Sequence, residues 1–142
     1  GPFSLFAGID RTLSVLEGEG IVLSVDDLPD AELRRASQPF PFAADKPSSA
    51  RLLGGAILDF NVMTRRGRFS HRVERFDARR QVALSPATTT VVFCAAGLAA
   101  IRSGEVNETL AAHDAAIVGD AACDVTPEPG ADVYLVTLAR VA

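Results

Sequence analysis

The chain has 142 residues, 48% of them hydrophobic and 23% charged, and a formal net charge of −4. That is enough apolar material for one domain or two small packed halves, and the acidic balance speaks against nucleic acid as the main partner. The longest apolar run, Thr90 to Ile101, falls short of the ~18 residues of a membrane helix and is interrupted by Gly97. No signal peptide is visible; the two cysteines, outside any metal motif, fit a reducing cytoplasm, which is the expected location.

In chain order, short runs of Val, Ile, Leu and Phe bounded by Gly, Pro, Asp and Ser predict an all-β barrel or sandwich. "RTLSVLEG" alternates, with Leu13 and Val15 on one face and Thr12 and Ser14 on the other. "GIVLSVDD" sets Val22 and Ser24 against Leu23 and Val25. Between them "EGEG" is a turn in which Gly18 and Gly20 supply positive φ. The stretch from Asp27 to Ser37 reads as a short turn after Pro29 or a loop, and Phe40 to Ala50, with Pro41 and Pro47, as a loop running into a strand. Further strands are expected over Arg51–Leu53, Asp59–Thr64, Phe69–Phe76, Thr90–Phe93, Leu98–Arg102, Thr109–Leu110, Ala115–Val118, Ala122–Val125 and Val133–Ala139.

The two halves resemble each other. "VLEGEGIVLSV" aligns with "VFCAAGLAAIR", "FAAD" with "IVGD" and "DFNVMT" with "DVYLVT", in one order and at nearly constant spacing. This suggests a duplicated β-unit. The expected fold is a bicupin, two cupin-type double-stranded β-helix (jelly-roll) barrels, with residues 1–76 as the first half and 77–142 as the second.

"GPFSLFAGIDRTLSVLEGEG", followed by "PFPF", "LLGG" and "DFNVMTRRG", resembles the HutD/Ves family of bacterial proteins. The resemblance is specific from Gly1 to Gly67 and diffuse beyond. It implies a cupin-type fold with two barrel halves, an association with histidine utilisation and a regulatory role, with no settled enzymatic activity. The family pattern begins earlier, with a Trp-containing segment and strands that are absent here; this chain has no Trp. The native protein is therefore expected to extend upstream of Gly1.

A catalytic cupin needs clustered imidazole and carboxylate ligands. Where the first half should carry a His pair, "GIDRT" places Asp10 and Arg11. His71 and His113 lie in different halves and read as a solvated strand residue and a turn residue. Cys94 and Cys123 form no metal motif and read as buried free thiols, and Glu17 with Glu19 as a solvated tip. No nucleophile motif is present. The sequence therefore predicts no metal, no cofactor and no catalytic residue.

The candidate binding residues are polar side chains in strands that should be half-buried: Arg11, Asp59 and Asn61, with Ser4, Asp10 and Met63. An inward guanidinium needs a carboxylate partner, from Asp10, Asp59 or a ligand. If Phe60 and Val62 point one way, Asn61 shares its face with Asp59 and Met63. The reading is a non-catalytic bicupin that binds a small anionic metabolite in the first barrel; the family link suggests urocanate or formimino- or formyl-glutamate. The second half, Ala-rich and poor in polar strand residues, would be a degenerate structural barrel. The alternatives are a cupin enzyme acting on a small metabolite, and an interaction module using the hairpin 65–80, which holds seven Arg. The sequence leaves a homodimer open.

Overall fold

The computed structural model describes residues 1–83, 85–119 and 121–141. They contain no helix and form fourteen strands. In chain order these are β1 (Ile9–Glu17), β2 (Ile21–Val25), β3 (Ala31–Leu33), β4 (Phe40–Ala43), β5 (Ser48–Leu52), β6 (Leu58–Arg65), β7 (Phe69–Phe76), β8 (Arg80–Val82), β9 (Thr88–Ala96), β10 (Ala99–Ser103), β11 (Val106–Leu110), β12 (Ala115–Val118), β13 (Cys123–Pro127) and β14 (Asp132–Arg140). The chain divides between Ser70 and His71, inside β7, into two compact units.

The first unit holds two antiparallel sheets, β4-β1-β6 and β3-β2-β5. Leu13, Val15, Ile21, Leu23, Val25, Leu33 and Phe42 form its core. The alternation expected for β2 is observed in its burial, whereas in β1 every residue from Thr12 to Leu16 is buried, and the two strands do not pair as a hairpin. The Gly18–Gly20 turn carries the chain from one sheet to the other, as in a jelly roll. Gly20 has φ +103° and a Cβ there would collide with the Leu33 carbonyl, so the crossing requires glycine.

The stretches read as loops contain strands. Ala31–Leu33 pairs with β2, and Phe40 to Leu52 is two strands joined by a turn. Pro41 is tolerated because β4 lies at the edge of its sheet, where a missing N–H interrupts no ladder. The N-terminal segment runs along β5 through a Pro2–Ser49 bridge and a hydrogen bond from the Phe3 N–H to the Ser48 carbonyl (2.9 Å).

The second unit repeats the plan. Its sheets are β12-β9-β14-β7 and β11-β10-β13-β8. Val82, Val92, Cys94, Ala99, Leu110, Cys123, Val125, Val133 and Leu135 form its core. Six strands of each unit correspond in order, β1–β6 with β9–β14. The register is anchored by a shared irregularity: the β1–β6 ladder slips just after Val15, and the β9–β14 ladder slips just past Cys94. Val15 therefore corresponds to Cys94 and Leu13 to Val92. The duplication is as expected, but all three sequence matches are out of step: Val15 corresponds to Cys94 and not Val92, Phe42 to Val118 and not Ile117, and Asp59 to Val133 and not Asp132, because similar apolar residues recur along each strand while the bulge fixes the register.

Candidate functional site

β1 positions the candidate site. Along it Arg11, Leu13 and Val15 share one face, opposite Met63, Asn61 and Asp59 of β6. Leu13 and Val15 belong to the first unit's core, so this face looks inward. The polar row Asp59, Asn61, Met63 does share one face, as the alternation of "DFNVM" required.

Arg11 is half-buried. Its Nε donates to Asn61 Oδ1 at 2.8 Å. Its guanidinium carbon lies 4.8 Å from the Phe3 ring centroid and 5.6 Å from that of Phe42. Such cation–π contacts contribute about 0.5–2 kcal/mol each, more as water is removed. Phe42 is there because β4 pairs it with Arg11; Phe3 is there because the N-terminal segment runs along β5. Burial lowers the Arg11 pKa, and the Asp59 carboxylate opposes that shift through space. Arg11 stays protonated, since guanidinium starts far above neutrality.

The acceptor on Arg11 is a neutral amide, and Asp59 acts only as a nearby charge. Among the described residues no carboxylate is hydrogen-bonded to Arg11, and its Nη groups make no hydrogen bond. A cation is thus held by an amide oxygen and two rings, with its outer edge available. Planar, bidentate binding of a carboxylate suits that edge.

The other candidates fall outside this arrangement. Asp10 precedes Arg11 and so points to the opposite face, where Arg66 bridges it (2.8 Å) and Asp45 (2.9 Å). Asp45 also accepts the Gly8 N–H, and the Arg66 hydrogen bond lowers its pKa to about 2. This cluster ties the start of β1 to the ends of β4 and β6. Ser4 is exposed in the N-terminal segment. Met63 stands at the rim, 39% exposed. Phe3 and Phe42 were missed by sequence reasoning; Phe42 was hidden because β4 was read as loop.

His71 lies on β7, and His113 occupies a turn at φ 73° with its ring stacked on Phe93 at 6.5 Å. Among the described residues no three His, Cys, Asp or Glu side chains gather in a metal-holding group. Cys94 and Cys123 are free and buried, and burial raises both thiol pKa values. In the arginine-rich hairpin Arg72 and Arg80 pair with Glu74, Arg75 with Asp132 and Arg79 with Asp124. No helix among the described residues is long and apolar enough to cross a membrane.

Fold and interior together define a two-barrel protein of the cupin type. The chain belongs to the HutD family, whose model matches residues 1–135. It is 39% identical over 95 residues to an uncharacterised 21.2 kDa protein in the hutC 3′ region of Pseudomonas putida, covering 67% of this chain and 49% of that protein. It is 40% identical over 78 residues to protein Ves of Citrobacter koseri, covering 54% of this chain and 40% of that one. The structure of HutD from Pseudomonas fluorescens SBW25 superposes with a TM-score of 0.81 at 30% identity, covering 99% of this chain and 73% of that one. The chain spans about half the length of the curated relatives it matches or less.

Proposed function

We propose that this chain is a non-catalytic binding module that recognises a small carboxylate in its first barrel and serves in the regulation of histidine utilisation. The observation that carries the reading is Arg11: an inward guanidinium whose hydrogen-bonded partner is an amide, with an edge left for an anion. A ligand carboxylate would take the Nη edge, Asn61 would orient the guanidinium, and Phe3 with Phe42 would hold it in plane. Asp59 keeps the empty site from carrying a bare charge.

The pathway assignment follows from relatives: one is named HutD and another lies in the hutC 3′ region. Acids of histidine breakdown, urocanate or formimino- or formyl-glutamate, are the matching ligand class. The arginine-rich hairpin gives less support to a nucleic-acid role, because most of its guanidinium groups face carboxylates of this chain. A cytoplasmic location belongs to the same proposal.

The test is calorimetric titration of urocanate and N-formylglutamate into the wild type and Arg11→Lys. Lysine keeps the charge and loses the planar fork. Weaker binding by Arg11→Lys supports the reading; equal affinity, or no binding of either acid by the wild type, removes it.

A further inference from the structure

The second barrel departs from the first in a way that opens space. At the position of Phe42 it has Val118, paired with Thr90 as Phe42 is with Arg11; at the position of Phe40 it has Ala116, paired with Val92 as Phe40 is with Leu13. In the first barrel those two rings lie 6.0 Å apart and help fill the interior. Beside their small replacements the second barrel has a pocket of about 280 Å³, open to solvent, lined by Ile101, Ser103, Glu108, Ala116, Val118 and Cys123 among others.

The lining is apolar with one charged group. Ile101, Ala116, Val118 and Cys123 all pack in or against the core. The raised pKa keeps the Cys123 thiol neutral. The Ser103 hydroxyl donates to the Ala122 carbonyl at 3.0 Å, so its proton is engaged. Glu108 is the cross-strand partner of Ile101 and so faces the same side; the first barrel has Ala31 there, opposite Leu23. Glu108 is exposed, and among the described residues its carboxylate takes part in no ion pair or hydrogen bond. The groups proposed to take an anion in the first barrel have no counterparts: Thr90, Leu135 and Val133 stand where Arg11, Asn61 and Asp59 would be.

We propose that this cavity is a second binding site, for a small molecule with an apolar body and a cationic amine end. The body would lie between Ile101 and the Ala116–Val118 segment, and the amine would meet Glu108. A pocket near the small end of ordinary ligand sites, apolar except for one carboxylate, selects that chemistry by charge and by size. The two barrels would then take ligands of opposite sign.

The test is an amide-resolved NMR titration with 2-phenylethylamine, and with phenylacetate as its anionic counterpart. The expected result is perturbation at Ile101, Ala116 and Val118 by the amine and none there by the acid. Glu108→Gln should weaken amine binding by a few-fold, the size expected for an ion pair to an exposed carboxylate. Ala116→Phe, which restores the residue type of the first barrel, should abolish it. If Ala116→Phe disturbs folding, seen as lost amide dispersion, Glu108→Gln decides alone. No perturbation by the amine up to its solubility limit, equal perturbation by the acid, or full affinity in Glu108→Gln would overturn the proposal.

Discussion

Near the start of β1 a guanidinium points into the first barrel; at the matching place in β9 the second barrel has a threonine. Around Arg11 the first barrel arranges Asn61, Asp59, Phe3 and Phe42, whereas the second has leucine and valine across the strand from β9. The backbone plan is the same down to the slip in the long ladder. The difference teaches that the fold is paid for by the apolar rows, Leu13–Val15 and Val92–Cys94, and that the polar rows are free to carry specificity. A barrel with an inward arginine needs a reason for it; a barrel with an inward leucine does not.

The largest effects should come from the rows the barrels share. Leu13→Ala removes a fully buried side chain and should cost about 2–5 kcal/mol. Val92→Ala removes one carbon fewer from an equally buried place and should cost less. Denaturant melts of both variants check this, and a Leu13→Ala loss below that of Val92→Ala would break the equivalence.

The next effect comes from exchanging polar and apolar residues. Leu135→Asn brings the first barrel's amide into the second without an arginine to receive. Leaving a buried amide unpaired costs roughly 1–3 kcal/mol beyond the lost apolar burial. The reverse exchange, Asn61→Leu, deprives Arg11 of its acceptor. It should lower acid affinity more than it lowers the melting temperature, since Arg11 retains access to water. Equal stability of Leu135→Asn and wild type would show that the second interior is wetter than its lining implies.

These strands were legible to different degrees. The alternation of "RTLSVLE" and "DFNVM" put Arg11, Asn61 and Asp59 on one inward face, because a period of two is visible wherever polar and apolar residues interleave. The same period should have separated Asp10 from Arg11: neighbours in a strand face opposite ways, and Asp10 indeed turns outward to Arg66. β3, β4 and the first half of β5 escaped: β3 is only three residues long, β4 contains Pro41 and β5 opens on two serines, so their composition matches turns, and only pairing partners distant in the chain make them strands; the end of β5 was expected, as Arg51–Leu53. Phe3 was illegible for the same reason, since its place over Arg11 depends on the Pro2–Ser49 bridge.

A smaller effect concerns the Asp10–Arg66–Asp45 cluster. Asp45 has its pKa lowered from 3.8 to about 2, chiefly by the hydrogen bond from Arg66. A carboxyl held lower in the folded state contributes stability that is present above its unfolded pKa and lost as pH falls through the folded value. Asp45→Asn should therefore melt below wild type at pH 7, and the gap should close between about pH 4 and pH 2. Because the cluster is exposed, added salt should narrow the gap as well. A gap that is constant with pH would mean that the variant acts through packing.

The smallest effect is expected on the opposite face of β1. Ser14 Oγ is buried and has no hydrogen-bond partner among the described residues. Ser14→Ala removes an unsatisfied hydroxyl at nearly constant shape, so stability should hold or rise by up to about 1 kcal/mol. A clear loss would reveal a partner for this hydroxyl.

The central claim is that the anion is read by the first barrel through Arg11, and the most direct measurement is a crystal structure of the protein soaked with urocanate. The account predicts the carboxylate against the Nη edge of Arg11, with the Arg11–Asn61 hydrogen bond retained. Urocanate bound only in the second barrel or on the outer surface, with Arg11 untouched, would contradict it.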